Sequence, residues 1–138
     1  MSLFKVFEVA GSAMNAQSVR LNITASNLAN AGSVNGDPDK VYRARQPVFA
    51  SFGDTLAAAE SGVAGVRLNG IVESSAPLQV QYQPQHPDAD ENGNVYLSNV
   101  NTVEEMVNMM SASRSYQNNV ELINTTKDLL LQTLSLGR

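Results

Sequence analysis

The chain has 138 residues, of which 43% are hydrophobic and only 16% charged, and its formal net charge is -4. The absence of cysteine excludes thiol catalysis, thiolate metal sites and disulfides, and the single histidine, His86, leaves no partner for a two-histidine metal site. Scattered basic residues argue against a nucleic-acid surface, and no apolar run approaches the roughly 18 residues of a membrane span, so no nucleic acid, membrane span or cofactor is expected.

The first residues, Met1 to Ala13, carry one lysine and a short apolar stretch, but Glu8 breaks that stretch. They read as the opening of a helix rather than a cleaved signal. From Leu3 to Asn30 there is no proline and one glycine, Gly11. Leu3, Phe7, Ala10, Met14, Gln17, Leu21, Thr24 and Leu28 fall at alternating spacings of four and three, one stripe of a long helix that Val6, Val9, Ala13, Ala16 and Ile23 broaden. The run Asn35-Gly36-Asp37-Pro38 lies beyond its end.

Residues 32–101 have a different character. All five prolines lie here. Tyr42 to Phe52 reads as extended chain divided by Pro47; Val66 and Leu68, then Leu78, Val80 and Tyr82, alternate with polar residues; Val95 to Leu97 is a further short strand. Asn69-Gly70 and Asn92-Gly93 are hairpin-type dipeptides. Asp54 to Glu60, rich in alanine, reads as a helical turn or a loop. The whole is a small β-rich insert.

Thr102 to Leu136 again lacks proline and glycine. Thr102 and Glu105 fit a capping box, and Gly137 stands where a C-terminal glycine belongs. Met106, Met109, Ser113, Tyr116, Val120, Ile123, Lys127, Leu130 and Leu134 repeat at three and four. At about 1.5 Å per residue this helix is roughly 50 Å long and the first roughly 40 Å, more than a compact domain of this size encloses. The fold class expected is therefore mainly α with a small β-rich insert (α+β): a helical arm over residues 1–31, an insert over 32–101 and a second arm over 102–138, the two arms packed side by side as one assembly domain.

Charge is missing where a solvated helix would carry it. Arg20 is the only ionisable side chain between Ala10 and Ala31, and Arg114 the only one between Met106 and Val120. Asn, Gln, Ser and Thr stand in those places, and such groups hydrogen-bond across a contact without the desolvation cost of an ion. Depletion of charge marks interface cores. Both arms read as built to be surrounded, and as weakly stable without partners. The alternative from pattern alone is an ordinary helix pair with a polar back.

Motifs that could carry chemistry are sparse. Asp88 to Val95 matches the first eight positions of a calcium loop, but the twelfth position, which needs a bidentate glutamate, is Asn99, so the segment reads as a turn. His86 sits between Gln85 and Pro87 with no positioned nucleophile or second base. No catalytic residue and no metal ligand is assigned.

The segment Ala16 to Ala31, ending Ser26-Asn27-Leu28-Ala29-Asn30-Ala31, resembles the N-terminal signature of bacterial flagellar rod and hook proteins. Its second part, Val41-Tyr42-Arg43, has valine where many members have glycine, which disfavours a positive-φ turn. Glu105 to Lys127 resembles the matching C-terminal end of the same family. The resemblance implies an axial, non-enzymatic subunit of the flagellar basal body, in the rod crossing the periplasm. Such a subunit is exported by the flagellar type III apparatus without a cleaved signal, and its helices pack into a helical tube with copies of itself and neighbouring rod proteins.

On that reading the assembly interface comprises Leu3, Phe7, Met14, Leu21, Leu28, Met106, Met110, Tyr116, Val120, Ile123, Leu130 and Leu134 as apolar packing. Asn27 and Asn30 are to terminate or bridge helices. Arg20 and Arg114 are to reach a carboxylate or carbonyls on a neighbour. Another proximal rod paralogue, a helical adaptor or secreted effector with a single partner, and a calcium-binding or hydrolytic module at Asp88–Asn94 are the competing readings.

Overall fold

A computed structural model of the chain describes residues 3–52 and 65–137. Helix α1 spans Leu3–Asn30, the proline-free run of the sequence. Its last turn is closed from within: Asn30 Nδ2 donates to the Ser26 carbonyl at 2.8 Å, and the Ser33 N–H and hydroxyl both donate to the Asn30 carbonyl, at 3.1 and 2.7 Å. These bonds satisfy carbonyls that a helix end otherwise leaves bare.

Five strands follow: β1, Val34–Asn35; β2, Arg45–Phe52; β3, Gly65–Glu73; β4, Gln79–Tyr82; and β5, Asn94–Leu97. They form an antiparallel three-stranded sheet in the order β1-β5-β4 and an antiparallel ribbon of β2 with β3. The chain ends in helix α2, Thr102–Leu136.

Pro47 does not divide β2 as the sequence suggests; it sits in register with Ile71 inside the strand. A two-stranded ribbon has only edge strands, so the missing proline donor can face away from the partner. Asn69-Gly70 is not a turn either. Val48 faces Gly70 and Phe49 faces Leu68, which leaves Asn69 as the extra residue of a β-bulge. Asn92-Gly93 does turn the chain between β4 and β5. Gly93 has a φ of 78°, and a Cβ there would come within 3.0 Å of Pro84 and Tyr82. The run Asp54 to Glu60 lies outside the described residues.

The helices run antiparallel, with Asn27 opposite Glu105 and Arg20 opposite Asn108. On α2, Glu105, Ala112 and Thr126 are buried and Asn119 half-buried, all on one seven-residue repeat; Met109, Tyr116, Ile123 and Leu130, half-buried, form the second line of the same seam. This is a coiled-coil-like heptad pattern. The facing surface of α1 buries Ala10, Ala16, Ile23, Thr24 and Asn27. The fully buried positions of the seam are thus mostly small or polar, and its large apolar side chains other than Ile23 are half-buried. Val95 and Asn27 are the largest side chains fully enclosed among the described residues. Since each buried methylene contributes only about 0.8 kcal/mol, a pair whose fully buried apolar residues are Ala10, Ala16, Ala112 and Ile23 gains modestly from them.

Candidate assembly surface and its buried polar junction

The best-defined polar feature is a junction where the end of α1, the start of β2 and the first turn of α2 meet. At its centre Asn27 is 1% exposed. Its Nδ2 donates to the Arg45 carbonyl at 2.8 Å and to Glu105 Oε2 at 3.0 Å. Its Oδ1 accepts from the Arg45 N–H at 2.9 Å and the Tyr42 hydroxyl at 2.8 Å. A carboxamide has two donors and two acceptor lone pairs, and all four are used. The reverse orientation of the amide would set its oxygen against a carbonyl and a carboxylate, so the surroundings fix the rotamer. Because Tyr42 gives its proton to Asn27, it receives one from Ser26, 3.2 Å away.

Around this centre the bonds continue outward. Glu105, 6% exposed, accepts at Oε1 from Asn108 Nδ2 at 3.5 Å, and Asn108 Oδ1 accepts from Arg20 at 3.4 Å. Asn99 Oδ1 accepts the Ala44 N–H at 2.8 Å while its Nδ2 donates to the carbonyls of Ser74 and Ala76, tying β2 to the segments after β3 and β5. Arg45 pairs with Glu73 at 3.1 Å and lies over the Tyr42 ring. The pair is half exposed, so its contribution is small.

Glu105 corrects the expected capping box. Asn101, one residue before Thr102, is the cap: its Oδ1 accepts from the N–H groups of Val103 and Glu104 at 3.1 and 3.4 Å. Asparagine caps as well as threonine, and the carboxylate is then free to turn inward to Asn27. Glu105, Tyr42, Asn99 and Asn101 are the residues that sequence reasoning missed. Tyr42 and Glu105 both lie in the segments that carry the family resemblance, and that was the available signal. At the other end of α2, Gly137 caps with φ -90°, outside the left-handed region.

The residues assigned to the assembly interface fall into three groups. Asn27 is buried in the junction and Asn30 ends α1, as described above. Phe7, Met14, Leu21, Leu28, Tyr116, Val120, Ile123 and Leu130 are half-buried along the helix pair. Met106, Met110 and Leu134 stand out at 51%, 58% and 68% exposure. Leu3 opens α1, but its side chain is outside the described set. Arg20 is half-buried and Arg114 exposed, and neither has an ion pair among the described residues.

The expected stripe on α2 is rotated from the observed seam. Met106, Lys127 and Leu134 lie outside it, because the true buried line runs through Glu105, Ala112 and Thr126, which an apolar pattern does not register. The back of the first half of α2 is apolar: Val103, Met106, Val107 and Met110 are all exposed, at spacings of three, one and three, opposite the seam. At the far end Phe4, Leu129, Leu131, Leu134 and Leu136 are exposed as well.

The arrangement offers no reaction centre among the described residues. A cleft of about 310 Å³ beside the junction is lined by Arg20, Thr24, Arg45, Gln46, Pro47, Phe49, Glu104, Glu105 and Asn108, with no nucleophile set beside a base. His86 Nδ1 accepts the Asp88 N–H at 3.1 Å, a bond local to its own turn. Asp90 Oδ1 is likewise used by its own turn, accepting from Asn92 and Asn94 at 2.8 Å each.

Known proteins share this pattern across the whole chain. The family model described as flagella basal body rod protein matches residues 7–36, and that described as flagellar basal body rod FlgEFG protein C-terminal matches residues 91–136. These two matches cover both helical arms and define the class. The flagellar basal-body rod protein FlgC of Salmonella typhimurium is 51% identical over 138 residues, all of both chains, as is that of Escherichia coli O6:H1. FlgC of Buchnera aphidicola from Acyrthosiphon pisum is 43% identical over 99% of both chains. The chain belongs to the FlgC family of flagellar basal-body rod proteins.

Proposed function

We propose that this protein is a structural subunit of the proximal rod of the bacterial flagellar basal body, part of the shaft that transmits torque. Its two helices act as one assembly domain that packs against other copies of the chain and neighbouring rod proteins. The observation that carries this reading is the exposed face of α2, where Val103, Met106, Val107 and Met110 lie bare opposite the seam. Leaving four apolar side chains in water on one helix face is the mark of a surface that is covered elsewhere.

The same reading accounts for how such a surface is maintained. The outward apolar groups lie on the side of α2 away from the seam, so they are not needed for the pair itself. Arg20 and Arg114 reach a carboxylate or helix-end carbonyls of a neighbour, where their planar donors suit a partly desolvated contact. A repeated contact that does not close on itself generates a helical tube. The subunit passes the flagellar type III export apparatus and takes its place in the rod across the periplasm.

The clean test uses Met106→Asp with Met110→Asp. Both side chains are more than half exposed, so the isolated subunit should keep its unfolding midpoint within the equivalent of about 0.5 kcal/mol per change. Secretion should persist while rod assembly and motility fail. Normal motility in the double variant would overturn the reading.

A further inference from the structure

Three Asn-Gly pairs occur in the chain: Asn35-Gly36, Asn69-Gly70 and Asn92-Gly93. Such a pair invites an intramolecular reaction. The glycine backbone nitrogen, on losing its proton, attacks the asparagine Cγ. A C–N bond forms to the ring, the Cγ–Nδ2 bond breaks, and Nδ2 leaves as ammonia with that proton. Water then opens the five-membered imide at either carbonyl, giving aspartate or isoaspartate. Nothing is oxidised or reduced. Glycine permits the reaction because no Cβ crowds the approach.

In a folded chain the rate depends on whether the two groups are free to meet, and the three sites differ sharply. At Asn92-Gly93 the glycine N–H is donated to the Asp90 carbonyl at 2.9 Å and the Asn92 N–H to Asp90 Oδ1 at 2.8 Å. Gly93 is wedged against Tyr82 and Pro84. At Asn35-Gly36 the side chain is engaged, its Oδ1 accepting the Asp37 N–H at 2.9 Å; the residue is paired with Tyr96, and Asp88 crowds Gly36.

Asn69 has none of these restraints. It is exposed, makes no side-chain hydrogen bond among the described residues, and is the unpaired residue of the bulge in β3. Space around the Cβ position of Gly70 is open to 4 Å. A bulge also departs from the fully extended backbone and breaks the local ladder, so the Gly70 nitrogen is freer to approach the side chain than in a regular strand.

We infer that Asn69 is a spontaneous modification site of the folded subunit, converting to aspartate and isoaspartate ahead of Asn35 and Asn92. The full chain, kept folded in mildly alkaline buffer, is sampled over time by peptide mass mapping, with isoaspartate scored by enzymatic carboxyl methylation. A parallel sample is held unfolded in urea. The need to break the hydrogen bonds that hold the other two sites slows each by about fivefold, so residue 69 should lead by at least that factor in the folded chain. In urea the three rates should converge. Gly70→Ala should slow the reaction at 69 and leave the other two unchanged. Asn35 or Asn92 keeping pace in the folded chain, an unmodified Asn69, or an undiminished rate in Gly70→Ala would each overturn the inference.

Discussion

Asn27 shows how one side chain can set the geometry of three elements. Its four hydrogen bonds join α1, β2 and α2 at a point where the apolar core is thin. Replacing it by alanine strands the Arg45 amide and carbonyl and the Glu105 carboxylate in a buried place. The expected loss is about 3 kcal/mol of unfolding free energy, read from urea titration. Asn27→Asp should be at least as harmful, since it sets a second carboxylate against Glu105 and the Arg45 carbonyl. Adding Glu105→Gln should recover part of that loss, because the new amide can donate to the aspartate. No coupling between the two sites in the double-mutant cycle would contradict the assigned network.

Asp37 makes a smaller point at the same scale. The Lys40 ammonium 3.0 Å away and the Asp39 N–H hold its carboxyl below the ordinary carboxylate range. Its contribution to the turn is therefore complete at neutral pH and is lost only as pH falls through the lowered value. The side-chain carboxyl shift of Asp37 should stay constant until that acid range.

Among the elements, both long helices were legible because their interiors hold no proline and, apart from Gly11, no glycine. The strands were legible as alternating segments, but their pairing was not. Pro47 was read as a break because a single sequence does not reveal that its strand has only one neighbour. Asn69-Gly70 was read as a turn because its chemistry suits a turn and a bulge equally. The short β1 carries no pattern at two residues; it exists because β5 offers it an edge.

The face of each helix was the hardest feature to read. Periodicity finds large apolar residues, whereas this seam is centred on Ala16, Asn27, Glu105, Ala112 and Thr126. Small residues line the buried positions of the seam, while Met106 and Met110 stand outward. Leu21 and Ile123, natural choices for disrupting assembly by sequence alone, are half-buried on the pair, so charged substitutions there disturb fold and assembly together. The exposed methionines separate the two effects.

For the molecule as a whole, the proposed function accounts for the charge-poor arms and the thin seam together: on that reading neighbours complete the stability. Helices held by so little apolar burial should open readily in the free subunit. Amide exchange should be fast across residues 13–29 in isolation and strongly slowed in basal bodies; strong protection already present in the free subunit would count against this. On this reading the junction at Asn27 consolidates together with the rest of the arms when they are covered.

The chain lacks cysteine, which permits a direct measurement of that cover. A single Met110→Cys subunit is treated with a maleimide reagent as free protein and within purified basal bodies from motile cells. Rapid labelling of the free subunit and protection in the assembled rod is the predicted result. Equal labelling in both states would mean that this apolar face stays in water, and that the arms are not built to be enclosed.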